Sequence, residues 1–311
     1  MFKVLATADF HIDEKFGIDQ IKRILGTISE EANKSDELWI AGDIFNKNRA
    51  SPVELKIFVD FLLTIKKPIL MVVGNHETLG DDSLLDWIPS IFKNITVYKT
   101  SQVIEREGVK VLLGHFNIEE SILGASDTHI TSGLSIESLD VPLAVVGHIH
   151  KGQHVQGTKT QAIIPGSIFY VNYDERNDVK GLTTLVFNNG EYDVDHILLD
   201  VDPIVQLDVD PDTDFSILEK YEKRTRVKLL VHYSDPSLNK RDIIRKMDKY
   251  SFKDKKIMFV YTPKTKSTTD APFSTGVSLE QFLNEYSTTE LKTFIIDQLR
   301  IQHENNSKTL R

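Results

Sequence analysis

The sequence has 311 residues, of which 40% are hydrophobic and 27% charged, an ordinary composition for a folded globular protein. It carries a formal net charge of −9 and contains no cysteine, which excludes disulfide bonds, cysteine-ligated zinc and thiol catalysis. No stretch approaches about 20 uninterrupted apolar residues, and the first residues run directly into a predicted strand, so we expect a cytoplasmic protein with no membrane-spanning helix and no cleaved leader.

The first part of the chain alternates predicted strands and helices. Short apolar runs at residues 4–8, 38–41 and 69–73 are typical of strands buried on both faces of a sheet. Between them, residues 18–32 place apolar side chains at helical spacing, and Ser51-Pro52 is typical of the start of a second amphipathic helix. Right-handed crossovers would bring the ends of all three strands to one side of a sheet. Apolar residues between 84 and 92 predict a further helix, and Asn188-Asn-Gly190 predicts a hairpin turn.

Polar side chains of the kinds that bind metals follow five predicted strands. In chain order, these strand ends carry Asp9 and His11, Asp43, Asn75 and His76, His115, and His148 and His150. Four of the five have a glycine directly before the polar residue, which lets the backbone turn sharply. A single histidine after a strand is usually structural, but five such ends on one rim favour a metal site.

The residue types indicate the kind of metal. Carboxylate, imidazole and amide ligands without thiolate suit Mn²⁺, and fit Fe or Zn less exclusively. The candidates outnumber the ligands of one tetrahedral zinc. Two ions about 3.5–4 Å apart that share a carboxylate would use them and would stabilise an in-line phosphoryl displacement. Asp43, in the middle of the series, is the predicted bridging ligand.

Five ordered segments resemble the motifs of the calcineurin-like metallophosphoesterases over residues 1 to about 190. They are Asp9-Phe-His11, Gly42-Asp43, Gly74-Asn-His-Glu77, Gly114-His115 and Gly147-His-Ile-His150. The resemblance implies an α/β fold in which two sheets form a sandwich flanked by helices. It also implies one metal held by Asp9, His11, Asp43 and His150, and another held by Asp43, Asn75, His115 and His148. His76 matches a histidine that is not a ligand and that protonates the leaving alkoxide or steadies the phosphate.

Other segments are similar to the nuclease subunit of SbcCD-type complexes, the bacterial and phage counterpart of the eukaryotic MRE-type nuclease. These are residues 147–153, Pro165-Gly-Ser167, Asp174-Glu175 and Lys180-Gly181. This resemblance implies Mn²⁺-dependent cleavage, with Mg²⁺ as the alternative ion. The expected activities are 3′→5′ exonuclease action on double-stranded DNA ends and endonuclease action on single strands or hairpins, in DNA recombination and repair.

Two positions depart from the resembled pattern. Asp13 stands where the family often has glycine, so we expect the first loop to be shaped differently or anchored by that side chain. Asn46 stands where many of these nucleases carry a histidine that assists exonuclease action. The predicted metal ligands are unaffected, but vigorous exonuclease action does not follow from the motifs.

The charge distribution changes sharply after about residue 190. Residues 190–214 hold nine acidic residues and no Lys or Arg, which favours a boundary that ends the catalytic domain at residue 203. Residues 220–256 hold thirteen Lys or Arg against five Asp or Glu, a local balance of +8 that leaves −17 on the remainder.

Residues 204–263 are predicted to form a second unit with strands at 205–209, 227–233 and 257–261 and helices at 214–221 and 238–250. In the resembled nucleases a capping domain of this kind holds DNA. The predicted phosphate contacts are Lys240, Arg241, Arg245 and Lys249, although such charges are often only a solvated helix face.

Residues 264–277 are predicted to be a linker and residues 278–302 to form two short amphipathic helices. Their apolar faces carry Leu279, Phe282, Leu283, Leu291, Phe294, Ile295 and Leu299. In the resembled complexes a C-terminal helix pair binds an SMC-like SbcC-type ATPase, and the nuclease is a homodimer. The alternative is that the helices fold back onto this chain.

Three functional hypotheses remain open. The first is a DNA nuclease subunit of an SbcCD-like complex, with ATP hydrolysis left to the partner because this chain has no glycine-rich phosphate loop with lysine. The second is a phosphodiesterase for small diesters such as cyclic nucleotides, which gives residues 204–302 no purpose. The third is a largely non-catalytic subunit that bridges DNA, for which Asn46 gives some support.

Overall fold

The computed structural model describes residues 1–124 and 128–263. The strands of these residues are, in chain order, β1 (Phe2–Thr7), β2 (Glu37–Ala41), β3 (Ile69–Val72), β4 (Thr78–Leu79), β5 (Asp82–Ser83), β6 (Ile95–Tyr98), β7 (Gln102–Arg106), β8 (Val109–His115), β9 (Ile122–Leu123), β10 (Thr128–His129), β11 (Leu143–Gly147), β12 (Gln153–Gln156), β13 (Gln161–Ile164), β14 (Gly181–Asn188), β15 (Glu191–Leu198), β16 (Ile204–Val209), β17 (Arg226–Tyr233) and β18 (Asp254–Tyr261). The helices are α1 (Ile18–Asn33), α2 (Pro52–Thr64), α3 (Ile88–Ile91) and α4 (Lys240–Asp248), with 3₁₀ turns at Glu14–Phe16, Ile136–Ser138, Tyr173–Glu175 and Phe215–Lys220.

Two sheets form a sandwich. The first has the strand order β15-β14-β1-β2-β3-β6 and the second has the order β12-β13-β11-β8-β7. Buried side chains from both sheets, including Trp39, Leu70, Val111, Val145 and Phe187, form the core between them. The predicted α/β fold of two sheets flanked by helices is confirmed.

Helices α1 and α2 cover the outer face of the first sheet. Ile21 and Ile28 of α1 and Phe58 and Phe61 of α2 are buried in one apolar cluster against this sheet. Ser51 begins α2 as predicted, because its hydroxyl accepts a hydrogen bond from the amide of Glu54 while the Glu54 carboxylate accepts one from the Ser51 amide.

The sheet topology brings the five predicted strand ends to one rim. Strands β1, β2 and β3 are parallel, as are β8 and β11, and the register pairs Gly147 with His115. Beyond the strands, the Asp9 amide donates to the Gly42 carbonyl oxygen at 3.0 Å and the His11 amide to the Asp43 carbonyl oxygen at 2.9 Å. The loops that follow β1 and β2 therefore continue side by side.

Two local predictions have different outcomes. The Asn188-Asn-Gly190 turn joins antiparallel β14 and β15 as predicted, with positive φ at Asn189 and Gly190, the backbone that a two-residue hairpin requires. The helix predicted around residues 84–92 is wrong in length, because only Ile88–Ile91 is helical. Before it, the Leu84 amide bonds the Glu77 carbonyl oxygen and the Asp86 carboxylate accepts from the Ser83 amide, which commits these residues to turns.

Residues 204–261 form a separate three-stranded sheet with its own core. Its strands β16, β17 and β18 are parallel, and α4 and the 3₁₀ turn at Phe215–Lys220 supply the crossovers. Leu218, Val227, Leu229, Ile243 and Met247 are buried in that core. The three predicted strands are present, the predicted helix at 214–221 is a 3₁₀ turn, and the predicted helix at 238–250 covers only Lys240–Asp248.

The third sheet contacts the sandwich through basic residues. Arg226, the first residue of β17, donates to the carbonyl oxygen of Tyr170 at 2.8 Å, and its guanidinium lies 5.5 Å from the Phe16 ring centre and 5.4 Å from that of Tyr173. Lys253 forms an ion pair with Asp202 at 2.6 Å. No helix of the described residues is both long and apolar enough to cross a bilayer. The predicted linker and C-terminal helices lie outside the described residues.

Candidate metal centre

All seven predicted ligands converge at the common rim. The Nε2 atoms of His11 and His150 are 2.9 Å apart, and the Asn75 amide oxygen lies 2.9 Å from Nδ1 of His148 and 3.1 Å from Nε2 of His115. Three groups each hold their ligand atoms within 4.8 Å of one another: Asp9, His11 and His150; His11, Asp43 and His76; and Asp43, His115 and His148.

Asp43 lies between the two sides of this array. Its Oδ2 atom is 3.7 Å from Nε2 of His11 on one side and 3.3 Å from Nε2 of His115 on the other. Its Oδ1 atom accepts a hydrogen bond from the His76 amide at 3.1 Å. One carboxylate oxygen therefore faces both donor groups, the position that a bridging ligand needs.

The backbone of the site is unusual. Asp9, His11, Asp43 and His148 all have positive φ, at 51°, 43°, 53° and 94° respectively. Non-glycine residues rarely adopt this conformation, which costs about 1–3 kcal/mol each and concentrates at functional sites. The strain turns these side chains away from the strand direction and into the shared rim.

Two glycines allow the loops to approach closely. Gly42 has φ of 84°, and a Cβ atom there would overlap the His115 imidazole. A Cβ atom at Gly147 would overlap the carbonyl oxygen of Ala41. At both positions there is no room for a side chain, and at Gly42 the positive φ also favours glycine.

Hydrogen bonds orient three of the imidazoles. His115 donates from Nδ1 to the Ala41 carbonyl oxygen at 2.7 Å, and His150 donates from Nδ1 to the Glu175 carboxylate at 2.9 Å. Both therefore direct the lone pair of Nε2 into the array when neutral. His76 likewise donates from Nδ1 to the Asn46 carbonyl oxygen at 2.7 Å, which leaves Nε2 3.9 Å from Oδ2 of Asp43.

Four ionisable groups of the site have pKa values far from their ordinary values. Burial raises the pKa of Asp9 to about 6, against the opposing effect of the His115 and His150 imidazoles. Burial, reinforced by His150, lowers the pKa of His11 to about 3. The pKa of Asp43 falls to about 2 because His115 and His11 outweigh its burial. For His115 burial is likewise overcome, here by Asp43 and Asp9, and the pKa rises to about 9.

Glu77 is a structural residue of the site that the sequence reasoning did not single out. It is fully buried, and its carboxylate accepts hydrogen bonds from the amides of Gly74 at 3.0 Å, Asp43 at 3.1 Å and Phe45 at 2.8 Å. It joins the loop after β2 to the loop after β3. Its position directly after His76 in the third motif could have indicated this role, because a carboxylate buried beside the site must accept hydrogen bonds from nearby donors.

Glu175 and Lys180 form a second buried group behind His150. The Glu175 carboxylate accepts from His150 and from Nζ of Lys180 at 2.8 Å, and Lys180 also donates to the Ser167 hydroxyl at 2.8 Å and the His150 carbonyl oxygen at 3.0 Å. These partners outweigh burial and lower the pKa of Glu175 to about 2. Both residues belong to segments that resemble SbcCD-type nucleases, and Asn172-x-x-Glu175 is in addition a capping pattern visible in the sequence.

The two positions that depart from the family pattern lie together. Oδ2 of Asp13 accepts a hydrogen bond from the Asn46 side chain at 2.9 Å, and Oδ1 accepts from the Lys15 amide at 3.0 Å. Asp13 therefore anchors the first loop, one of the two outcomes expected from the sequence.

The predicted phosphate contacts are exposed but do not all share one face. Arg241 and Arg245 lie in α4 with Lys249 at its C-terminal end, at spacings that place them along one side. Lys240 instead lies with Nζ 4.9 Å from the ring centre of Tyr233 and 5.2 Å from that of Phe259. Lys240 therefore lies beside the aromatic rings of the third sheet, apart from the other three cations.

The donor set fits divalent cations. Buried carboxylates, an amide oxygen and imidazole rings with inward-facing Nε2 atoms lie together without thiolates. Two imidazole nitrogens lie close together, and burial disfavours the ionised form of Asp9. A bound cation would stabilise both the lone pairs of these nitrogens and the ionised carboxylate.

Comparison with known families agrees with this geometry. Residues 2–152 match the family model described as calcineurin-like phosphoesterase, a span that contains all seven candidate ligands and His76. Over this span the chain is similar to the calcineurin-like phosphoesterases, and this match together with the cluster of donor side chains supports a metal-dependent phosphoesterase. The search of curated proteins gave no significant match.

Three solved structures match part of this chain at low sequence identity. An archaeal phosphodiesterase is 16% identical, with a TM-score of 0.40, and the match covers 63% of this chain and 99% of that one. A conserved uncharacterised protein from Streptococcus pneumoniae, titled a predicted phosphoesterase, is 14% identical with a TM-score of 0.36, covering 63% and 89%. A single mutant of Vps29 from Entamoeba histolytica is 16% identical with a TM-score of 0.39, covering 64% and 99%.

Proposed function

We propose that this chain is a DNA nuclease that uses two divalent cations, Mn²⁺ in preference to Mg²⁺, and that it is the nuclease subunit of an SbcCD-like recombination and repair complex. The observation that carries the proposal is the position of Asp43 between two groups of donor atoms, with Nε2 of His76 beside it. One ion would be held by Asp9, His11, Asp43 and His150, and the other by Asp43, Asn75, His115 and His148.

The chain's own residues have distinct roles in this proposal. When bound, the ions would activate the attacking water and offset charge on the phosphate oxygens. His76 donates from Nδ1 to the Asn46 carbonyl oxygen, so Nε2 is the ring atom that faces the site, and as a general acid His76 would carry a second proton there. That proton is placed for transfer to the departing 3′ oxygen, a contribution of about 10²–10⁴ in rate for a positioned acid.

DNA as the substrate is supported by the third sheet. The exposed cations of α4 belong to the third sheet, and Arg226 of the same sheet contacts the Tyr173–Glu175 turn. Glu175 in that turn accepts a hydrogen bond from His150. A cationic surface attached to the segment behind a metal-binding histidine suits a polymeric anion, bound through its phosphates without base reading.

Small diesters are the second candidate substrate. A cavity of about 420 Å³ lies beside His148 and His150, lined also by Leu123, Asn172 and Asp178. Its size suits a nucleotide-sized ligand. This candidate assigns no role to the basic third sheet.

The deciding experiment measures Mn²⁺-dependent cleavage of linear and hairpin DNA against cyclic nucleotides and bis(p-nitrophenyl) phosphate. We expect DNA cleavage that needs added Mn²⁺ and that collapses in His76→Ala, while metal and DNA binding survive. Hydrolysis of the small diesters alone would favour the second candidate. DNA binding without cleavage of any substrate would favour the non-catalytic bridging subunit, and full activity in His76→Ala would remove His76 from the mechanism.

We further infer that residues 278–302 bind an SMC-like ATPase and that the nuclease acts as a homodimer. The apolar faces predicted in that segment support the first inference, and the resemblance to SbcCD-type nucleases supports both. Removing residues 278–302 should abolish co-purification with a candidate ATPase and leave Mn²⁺-dependent cleavage by the nuclease intact. Sedimentation of the full chain measures the oligomeric state.

A further inference from the structure

The imidazole of His76 is oriented by a neighbouring loop. Its Nδ1 donates to the main-chain carbonyl oxygen of Asn46, and its ring packs edge-on against that of His11 with centres 4.8 Å apart. The side chain is one-third exposed, so packing alone does not fix it. The position of Nε2 therefore depends on where the Asn46 carbonyl points.

That carbonyl lies at the end of a short tethered segment. The bridge between Ile12 and Phe45 continues the pairing of the two metal loops, and the Asn46 amide bonds the Ile12 carbonyl oxygen at 3.3 Å. The Asn46 side chain then donates to Asp13 at 2.9 Å. The backbone bond alone is long, and the side-chain bond adds a second contact that holds Asn46 in place.

Asp13 is itself held firmly. It is 5% exposed, it accepts from the Lys15 amide at the start of a 3₁₀ turn, and ammonium groups of Lys15 and Lys47 lie 3.4 and 3.3 Å from Oδ2. The carboxylate is thus a rigid acceptor for the amide of Asn46.

We propose that Asp13 and Asn46 are a pair of positioning residues that fix the imidazole of His76 through the Asn46 carbonyl oxygen. This inference rests on the proposed role of His76 as the acid that protonates the leaving oxygen. Asp13 and Asn46, the two departures from the family pattern, therefore act together as one structural unit. Asp13 is buried and the Asn46 side chain is bonded to it, so we expect their effect to be confined to the step that His76 serves.

The leaving group provides the test. DNA releases an alkoxide that needs a proton, whereas bis(p-nitrophenyl) phosphate releases p-nitrophenolate, which departs without one. Asn46→Ala and Asp13→Ala should each lower kcat on DNA about tenfold, with KM within about twofold of the wild-type value. Both should leave kcat on the p-nitrophenyl ester within about twofold, because that reaction does not use the acid.

Two further variants separate positioning from general damage. The double variant Asp13→Ala with Asn46→Ala should be no slower than either single variant, since both remove the same hydrogen bond. The exchanged pair Asp13→Asn with Asn46→Asp restores that bond with donor and acceptor reversed and should recover most of the missing kcat. Lys34→Ala, which removes an exposed ammonium paired with Glu31 just after the last turn of α1, should match the wild type.

A spectroscopic measurement does not depend on turnover. In the Mg²⁺-loaded protein, ¹⁵N NMR of the histidine side chains, assigned with His76→Ala, should show a hydrogen-bonded Nδ1–H on His76. In Asn46→Ala and Asp13→Ala this signal should shift towards a tautomer average.

The outcomes distinguish this inference from the proposed function. Equal losses on both substrates, additive losses in the double variant, or an unchanged His76 spectrum would overturn the pairing. If His76→Ala loses DNA cleavage while the Asn46 and Asp13 variants keep it, the pairing fails and the nuclease proposal stands. If the wild type never cleaves DNA, the nuclease proposal fails, and the His76 spectrum alone decides the pairing.

Discussion

At Asp43 the backbone and the side chain have separate partners. The amide is held by the buried Glu77 carboxylate, and positive φ turns the side chain into the rim, where Oδ2 faces His11 and His115. Removing the side chain would leave imidazoles from both sides facing each other with no anion between them. The same division recurs at His148, whose amide bonds both Asp9 oxygens while Nδ1 faces Asn75.

His115 gives the first residue-scale prediction, a dependence of metal affinity on pH. Because its pKa is raised to about 9 in the metal-free protein, the imidazole is protonated below that pH, and a cation at Nε2 must displace the proton. Metal binding at pH 7.5 should therefore release protons, and affinity should weaken as pH falls, by up to about tenfold per unit. Calorimetry in buffers of different ionisation enthalpy measures the release. His115→Ala should release fewer protons, and a pH-independent affinity would contradict the assignment.

Glu175 gives the second residue-scale prediction, a loss of metal affinity when its hydrogen bond to His150 is weakened. Its carboxylate fixes the His150 ring, and partners of this kind typically change metal affinity by about 10–100-fold when removed. We expect Glu175→Gln to weaken metal binding by about this factor, with the protein still folded, as measured by competition against a fluorescent chelator. Asp174→Asn, which alters the adjacent exposed carboxylate, is the matched control. Equal affinities for the Glu175 variant and the wild type would mean that the ring is held by packing alone.

At the scale of elements, the Tyr173–Glu175 turn joins two parts of the molecule. Arg226 of β17 lies between the rings of Phe16, just after the first metal loop, and Tyr173. The third sheet is therefore attached to two segments that also position candidate ligands. The sequence predicted the three strands of this sheet but not its attachment, because no local pattern shows which rings an arginine will contact.

Arg226→Ala tests this attachment. It removes a charged hydrogen bond to Tyr170 and two cation–π contacts, together about 2 kcal/mol of the free energy of unfolding. Urea denaturation measures the loss. Arg224→Ala, which removes a partly exposed arginine paired with Asp200 and Glu222, should cost within about 1 kcal/mol. Equal losses in both variants would show that Arg226 is an ordinary surface residue.

The side of α4 that carries Arg241, Arg245 and Lys249 gives a prediction about DNA. Changing all three to glutamine should weaken DNA binding equally for all sequences and reduce the slope of log K against log salt by about one for each phosphate that is no longer neutralised. Hydrolysis of bis(p-nitrophenyl) phosphate should be unchanged. Lys56→Gln changes an exposed lysine of α2 that is paired with Asp60 and is distant in sequence from α4, and it serves as the control. An unchanged salt slope in the triple variant would mean that this helix face is only solvated.

At the scale of the whole molecule, the order of residue types along the chain predicted alternating strands and helices with polar residues at the strand ends, while the two-sheet sandwich was implied by the family resemblance. Parallel strands with short crossovers deliver their carboxyl ends to one rim, so Asp9, Asp43 and Asn75 could be placed together without coordinates. Glu175 could not be placed, since it follows His150 by 25 residues and resembles any other turn glutamate. The Asp13–Asn46 contact was equally hidden, because it depends on how two loops lie side by side.

The charge asymmetry is also a whole-molecule property. The local balance of +8 over residues 220–256 and of −17 elsewhere places the excess cations on the third sheet and its flanks. An acidic protein with one cationic unit would attract a polyanion to that unit and repel it from most other surfaces. This arrangement agrees with a phosphoesterase whose substrate is held beside the metal centre.

The most direct test of the account is a crystal structure of the protein soaked in Mn²⁺, with data collected at the manganese absorption edge. We predict two anomalous peaks about 3.5–4 Å apart, with Asp43 contacting both, His150 beside one and His148 beside the other. A single peak, peaks away from these side chains, or no peak at saturating Mn²⁺ would contradict the two-metal centre and the nuclease proposal built on it.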